Sequence, residues 1–311
     1  MNVISLNEIN CALKNNAEDF IRSSEESYKK KLDTAVRELS MRQSRCPVLL
    51  IAGPSGSGKT TTAKRIAKAL SEKGITSRAI SMDDYYLSKD SPGIPYNADG
   101  SPDLESPYRL DIDLIHEHFG KIINCEEIMI PKFDFVSQSR ISTTPYRRKE
   151  NEIVIIEGLH ALNPLISAEY KDKCTRMYIS VRTRLKTEGG RLIHPSVIRL
   201  MRRLSRDVMY RGKEVTGVFD MFHSVSLGEK KYINPYKHFA DIETDTFIAY
   251  EAAVYKQLLS PILKRSDLLL RYEEFADIKF AFAELLPLEQ KEMIPGDSLV
   301  REFIGDSSFT Y

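Results

Sequence analysis

The stretch Gly53-Pro54-Ser55-Gly56-Ser57-Gly58-Lys59-Thr60 meets every requirement of the pattern G-x-x-x-x-G-K-[ST]. Before it, the apolar run Pro47 to Ala52, rich in Val, Leu and Ile, predicts a buried strand. After it, Ala63, Ile66, Ala67 and Leu70 recur at helical spacing. A loop between a strand and a helix start is the setting in which this motif has a mechanism. Its glycines let successive backbone N–H groups turn inward without a Cβ clash. The helix that begins there adds the positive end of its dipole. Lys59 then reaches β- and γ-phosphate oxygens, and the Thr60 hydroxyl reaches a Mg²⁺ ion.

Around this loop the composition is that of an ordinary globular chain. It has 311 residues, 42% hydrophobic and 29% charged, with a formal net charge of +1. The length suits one large or two modest domains. Near-neutral charge argues against a nucleic-acid partner. Cys11, Cys46, Cys125 and Cys174 lack paired spacing and read as reduced thiols, not a disulfide frame or zinc site. No apolar stretch is long enough to span a bilayer, and Glu8 interrupts the region where a signal peptide is apolar. A cytoplasmic location without a membrane partner is expected.

Residues 1–45 are helix-prone, with Ile9, Leu13, Phe20, Ile21, Leu32, Val36 and Leu39 at rough helical spacing. They are expected to form one or two helices on the core or on a second subunit. Gly74 is the expected C-cap of the helix after the loop. Thr76 to Met82 predicts a strand ending in Asp83-Asp84-Tyr85-Tyr86. Acids at the carboxyl end of a strand lie where α/β sheets bind ligands. Asp83 there is either a base for an attacking hydroxyl or a turn aspartate. Residues 88–110 read as a long loop, in which Asp103 and Glu105 are expected in solvent, with polar contacts as the alternative.

Asp111 to Ile123 predicts an amphipathic helix. Ile128 to Phe135 alternates like an edge strand containing Pro131. Phe133 and Phe135 then share a face, as core or as a platform for a flat heterocycle. Ile153 to Glu157 predicts a buried parallel strand. Its terminal Glu157 either holds Mg²⁺ opposite Thr60 or caps the next turn. Thr175 to Val181 predicts another strand.

From Pro195 to Tyr210 a helix is expected, carrying Arg199, Arg202, Arg203 and Arg206, with Arg211 following. Arginines so spaced share one face and repel by a few tenths of a kcal/mol per pair. Beside a phosphate loop, this predicts a hinged lid closing on a polyphosphate, with a solvated basic face as the alternative. Thr244 to Leu259 is expected to be a helix and Asp267 to Arg271 a strand. The tail from Glu273 reads as a structural latch.

Several of these segments together resemble the uridine kinase/phosphoribulokinase family: the phosphate loop, Ser81 to Tyr86, Ile130 to Phe135, Ile156-Glu157-Gly158, and Arg202-Arg203-x-x-Arg206-Asp207 through Arg211-Gly212. Ser180 to Ser205, Asn234-Pro235-Tyr236 and Leu299 to Gly305 are most similar to bacterial uridine-kinase-like nucleoside kinases that often carry a threonyl-tRNA-synthetase-type N-terminal domain, which residues 1–45 are too short to supply.

The resemblance implies an α/β P-loop kinase with a mainly parallel five-stranded sheet and an Arg-rich helical lid at about 190–232. The core would span residues 46–272, with a C-terminal extension over 273–311. It implies transfer of the γ-phosphoryl of ATP or GTP, with Mg²⁺, to a nucleoside 5′-hydroxyl, uridine or cytidine foremost. A sugar-phosphate or pantothenate kinase, or a nucleotide-binding regulatory protein, stands as the alternative. Asp83 matches the general base, with Lys59 and Arg206 catalytic alongside it. Gly53 to Thr60, with Thr61, Arg202 and Arg206, would bind ATP. Thr60, Glu157 and Asp83 would face the metal. Asp83, Tyr86, Glu105, Phe133, Phe135, Gln138, Arg203 and Arg211 would line the nucleoside site. Gln138 replaces a His, and Phe133 a Tyr, of the pyrimidine-kinase pattern. A homo-oligomer of two or four chains is expected.

Overall fold

The apolar run before the phosphate loop sits at the centre of the molecule. The computed structural model describes residues 2–97, 100, 102–264 and 271–310. Strands are β1 (Val3–Ser5), β2 (Val48–Ala52), β3 (Ser77–Ser81), β4 (Glu127–Asp134), β5 (Ser139–Arg147), β6 (Ile153–Glu157), β7 (Cys174–Ser180), β8 (Arg184–Lys186), β9 (Leu192–Ile193) and β10 (Ile242–Asp245). Helices are α1 (Leu6–Arg42), α2 (Lys59–Ser71), α3 (Ile112–Ile123), α4 (Pro164–Ser167), α5 (Pro195–Arg211), α6 (Val215–Tyr232), α7 (Glu251–Leu259), α8 (Glu273–Glu284) and α9 (Arg301–Ile304).

The main sheet has five strands in the order β10-β7-β2-β6-β3, and all of its pairings are parallel. Every residue of β2 and β6 is buried, as expected of inner strands covered on both faces. Ile51 pairs with Glu157, and Ser81 with Glu157. That register aligns the carboxyl ends of β2, β6 and β3, so the phosphate loop, Glu157 and Asp83 emerge side by side. A small sheet, β1-β8-β9, and the antiparallel hairpin β4-β5 stand apart from it.

Helix α1 begins on a capping box, with Ser5 and Glu8 bonding reciprocally. It kinks at Asn16, whose φ of −164° and ψ of 98° are not helical. Tyr28, Leu32, Ala35, Val36 and Leu39 bury one face. The Tyr28 hydroxyl shares a hydrogen bond of 2.6 Å with that of Thr62 on α2, and Glu25 pairs with Arg65 at 2.8 Å. The N-terminal helix therefore packs on the helix that follows the phosphate loop.

Two sequence expectations need correction. Thr244 and Asp245 are strand, paired with Ile179 and Ser180; the helix starts only at Glu251. Asp245 ends the strand, its carboxylate accepting from the Arg182 and Phe247 N–H groups. Gly74 stands two residues beyond the C-cap Glu72, with φ +74°, where Ile75 N–H returns to the Leu70 carbonyl at 3.0 Å. The strand expected over Asp267 to Arg271 lies, but for Arg271, outside the described residues.

Candidate active site

The loop after β2 closes around its own backbone. Gly56 and Gly58 have φ of +74° and +85°, a region that costs a residue with a Cβ. Gly53 is required for another reason: a Cβ there would lie 2.2 Å from the Ile179 carbonyl oxygen on β7. Lys59 Nζ donates to the Gly53 and Pro54 carbonyls at 3.0 and 3.4 Å. Its ammonium therefore lies over the open end of the loop. Thr60 Oγ1 donates to Glu157 Oε1 at 3.2 Å, so hydroxyl and carboxylate face one another across β2 and β6.

Asp83 sits on the 3-10 turn Met82–Tyr85 that leaves β3. Gly158 lets this turn approach β6, since a Cβ there would lie 2.6 Å from Met82 Cβ. Burial pushes the Asp83 carboxyl up, with Lys59 opposing and Asp84 adding. Glu157 is pushed up to about 7 by burial and by Asp83, again against Lys59. Two enclosed acids therefore share one lysine, a site short of positive charge.

Asp84 acts structurally: it accepts from the Phe133 N–H and pairs with Lys132, each at 3.2 Å, tying the hairpin to the end of β3. Arg140 reinforces this tie through Asp111 and the Tyr85 and Tyr86 carbonyls. The result is an aromatic cluster beside Asp83. Phe133 and Phe135 centroids are 5.2 Å apart, and Tyr86 lies 5.7 and 6.2 Å from them. Only Phe133 lies on the strand, because β4 ends at Asp134 and Phe135 falls in the turn beyond it. Phe133 is buried, and Phe135, in the turn, is 59% exposed. Gln138 is exposed in the same turn, with φ +55°.

The long loop does not leave its acids in solvent. Asp103 is buried and accepts from the Tyr232 hydroxyl at 2.7 Å. Glu105 is largely enclosed against Gly228 of α6. Burial, with Glu229 adding, pushes its carboxyl up to about 7. Its Oε2 is buried without a partner, as are Arg109 Nε, His160 Nδ1 and Arg203 Nε. Unpaired buried polar atoms are costly; that His160 and Arg203 both interact with Glu105 marks a place for a polar ligand. His160 is held neutral, its pKa lowered to about 4 by burial. His160 and Arg109 were absent from the sequence reading. The only available signal for His160 was its position three residues after Glu157.

The chain matches the model of the phosphoribulokinase/uridine kinase family over residues 48–249. It belongs to that family. Uridine kinase of Streptococcus thermophilus is 27% identical over 198 residues, covering 63% of this chain and 84% of that protein. Uridine kinase of Staphylococcus aureus is 29% identical over 196 residues, covering 63% and 85%. Among solved structures, a D-glycerate 3-kinase from Cryptococcus neoformans superposes with a TM-score of 0.42 and 13% identity, over 71% of this chain and 88% of that one, too distant to bear on substrate. The protein is accordingly a small-molecule kinase that moves a phosphoryl group from ATP to a hydroxyl acceptor.

In this structure the arginine-rich helix, expected from its charge pattern to be a hinged lid, is packed against the chain's own acids. Ten residues of α5 are buried, and the anions that neutralise its arginines are the chain's own. Arg202 is fully buried and bidentate on Glu251 of α7, at 2.7 and 2.9 Å. Its remaining donors reach the Gly56 and Thr246 carbonyls at 3.0 and 2.7 Å and the Thr246 hydroxyl at 3.4 Å. It therefore braces the phosphate loop from beneath and has no donor left for ATP. Arg203, Arg206 and Arg211 gather on Asp207. Burial raises the Asp207 pKa, but Arg206, Arg203 and Arg211 outweigh it and leave it lowered. Arg203 also donates to the Ser55 hydroxyl, and the Arg206 guanidinium lies 5.8 Å from the Phe303 ring centroid.

The C-terminal tail also reaches the loop. Leu299 packs on Gly58, where a Cβ would lie 2.6 Å from Leu299 Cδ1. Thr61 Oγ1 donates to Glu302 of α9. Ser298 and Tyr250 both donate to Glu25 of α1. The expected latch is therefore joined to the nucleotide loop itself.

Proposed function

We propose that the protein is a nucleoside kinase of the uridine kinase type, transferring the γ-phosphoryl of ATP or GTP to a ribose 5′-hydroxyl. One observation carries the reading: an enclosed acid, Asp83, lies between the phosphate loop and an aromatic cluster, and Lys59 acts on it. Asp83 accepts the proton of the attacking hydroxyl. Lys59, the loop amides and Arg206 hold the charge that spreads over the moving phosphoryl. Glu105, with its unpaired Oε2, receives ribose hydroxyls. Tyr86 and Phe135 pack on the base, with Gln138 at its edge, and Arg203 and Arg211 contact phosphate or substrate.

Mg²⁺ fits the donor set. Thr60 Oγ1 and Glu157 Oε1 converge, and the enclosed acids, Asp83 raised by burial and Asp84, Glu157 by burial and Asp83, are eased by a cation. Among the described residues no group of three or more His, Cys, Asp or Glu forms a closed cage. That suits an ion bound by one or two protein oxygens and completed by phosphates and water. When bound, the ion neutralises phosphate charge.

The test is ADP release by the purified protein across nucleosides, sugar phosphates, glycerate and pantothenate. A nucleoside, with uridine or cytidine foremost, is expected to give the highest kcat/KM. A sugar phosphate at the head of that series overturns the nucleoside assignment while leaving the phosphoryl chemistry intact.

A further inference from the structure

One carboxylate in the molecule sits where a phosphate belongs. Glu229, on the last turn of α6, is 4% exposed. Its Oε1 accepts the Ser55 backbone N–H of the phosphate loop at 2.9 Å. Arg199 grips the same carboxylate with both terminal nitrogens, at 2.7 and 2.8 Å, and donates to the Ser55 carbonyl at 3.0 Å. Ser55 lies at the end of the loop over which the Lys59 ammonium rests. Since that ammonium serves the β- and γ-phosphates, Ser55 belongs to the outer phosphates, not to the α-phosphate. Next to this grouping, Ser57 Oγ and Arg203 Nε are buried and unpartnered.

An amide of a phosphate loop, a buried guanidinium and two idle donors make an anion subsite. We propose that the Ser55 N–H and Arg199 form the seat of the donor's outermost phosphate, and that Glu229 is its resident stand-in when the loop is empty. The inference rests on the kinase reading in one respect, that the loop takes a triphosphate. On binding, phosphate oxygens replace the Glu229 carboxylate on the Ser55 amide and on Arg199. Arg199, which the sequence reading placed on the arginine face but not among the binding residues, thereby becomes a direct contact of the transferring group.

The same helical turn reaches the acceptor wall: Gly228 lies against Glu105, and Tyr232 holds Asp103. Expelling Glu229 therefore moves a turn that both halves of the site share.

Calorimetry with inorganic tripolyphosphate and with ATP, on the full chain, tests the assignment. Glu229→Gln keeps the shape and removes the competing charge. Charge-assisted hydrogen bonds are strong enough that both ligands should bind it about tenfold tighter than wild type. Arg199→Lys should bind them about tenfold more weakly. A strut that only shapes the loop gives the opposite sign for Glu229→Gln, and binding within twofold of wild type, or weaker, overturns the proposal.

Hydrogen exchange on the wild type is independent of how the variants fold. Peptides covering residues 226–232 should exchange faster when tripolyphosphate is added; slower or unchanged exchange counts against displacement. Failure of wild type and variants alike to bind either ligand sinks the kinase reading as well, whereas equal binding by wild type and Glu229→Gln sinks this inference alone.

Discussion

Replacing Arg202 by Met separates a brace from a nucleotide contact. The side chain is fully buried, and its partner Glu251 is equally enclosed. Glu251 also accepts the Ile248 N–H at 2.9 Å and the Tyr255 hydroxyl at 3.2 Å. Arg202→Met leaves that carboxylate without a countercharge, and leaves the Gly56 and Thr246 carbonyls without these donors. Breaking one side of a buried pair costs about 3–5 kcal/mol, which in a chain of this size lowers the melting midpoint by about 5–10 °C. Urea unfolding should show a lower midpoint at unchanged slope.

The double variant Arg202→Met/Glu251→Leu removes the stranded charge and should regain more than half of the loss, because a buried pair exchanged for apolar side chains is often neutral. ATP affinity should fall in the single variant only through the loosened loop. If Arg202→Met melts like wild type yet no longer binds ATP, the arginine is a ligand of the nucleotide, and the bracing role is wrong.

Asp83→Asn should keep ATP binding and lose about 10²–10⁴-fold in turnover, read by coupled ADP release; undiminished turnover removes Asp83 from its role as base. Glu105 predicts a pH effect whose sign is fixed. Its folded carboxyl titrates at about 7 against 4.5 for an unperturbed one, so the native state keeps a proton that the unfolded chain releases. Stability therefore falls between about pH 4.5 and 7 and levels above it, by about 3 kcal/mol from this residue. Urea midpoints of Glu105→Gln should decline less over that window, and an identical decline refutes the assignment. Leu299→Ala opens a cavity over Gly58 and should cost about 2–4 kcal/mol; a urea midpoint equal to wild type would show that the tail is not a load-carrying wall.

The sheet end was legible because its signals are local. The loop pattern, the apolar strands and the acids terminating β3 and β6 all lie within short windows, and parallel register aligned them. For the arginine helix only half was legible, because its charge pattern was visible while its partners were not. Glu229, Glu251 and Asp207 look like ordinary acids in sequence, and only packing places them on Arg199, Arg202 and Arg206. Asp103 and Glu105 misled in the same way, since a polar loop is buried here by α6 arriving from far along the chain. Thr244 was assigned to a helix because amphipathic spacing continues smoothly from the strand into α7.

Thr61 and Glu302 are 241 positions apart, and that separation bears on synthesis. A nascent polypeptide exposed only as far as α7 already displays the glycine-rich turn, but Leu299 does not yet lie over Gly58 and Glu302 does not yet hold Thr61. The catalytic chamber is finished only once α9 has left the ribosome, so translation stopped short of α9 yields a chain that has the motif but not the completed pocket.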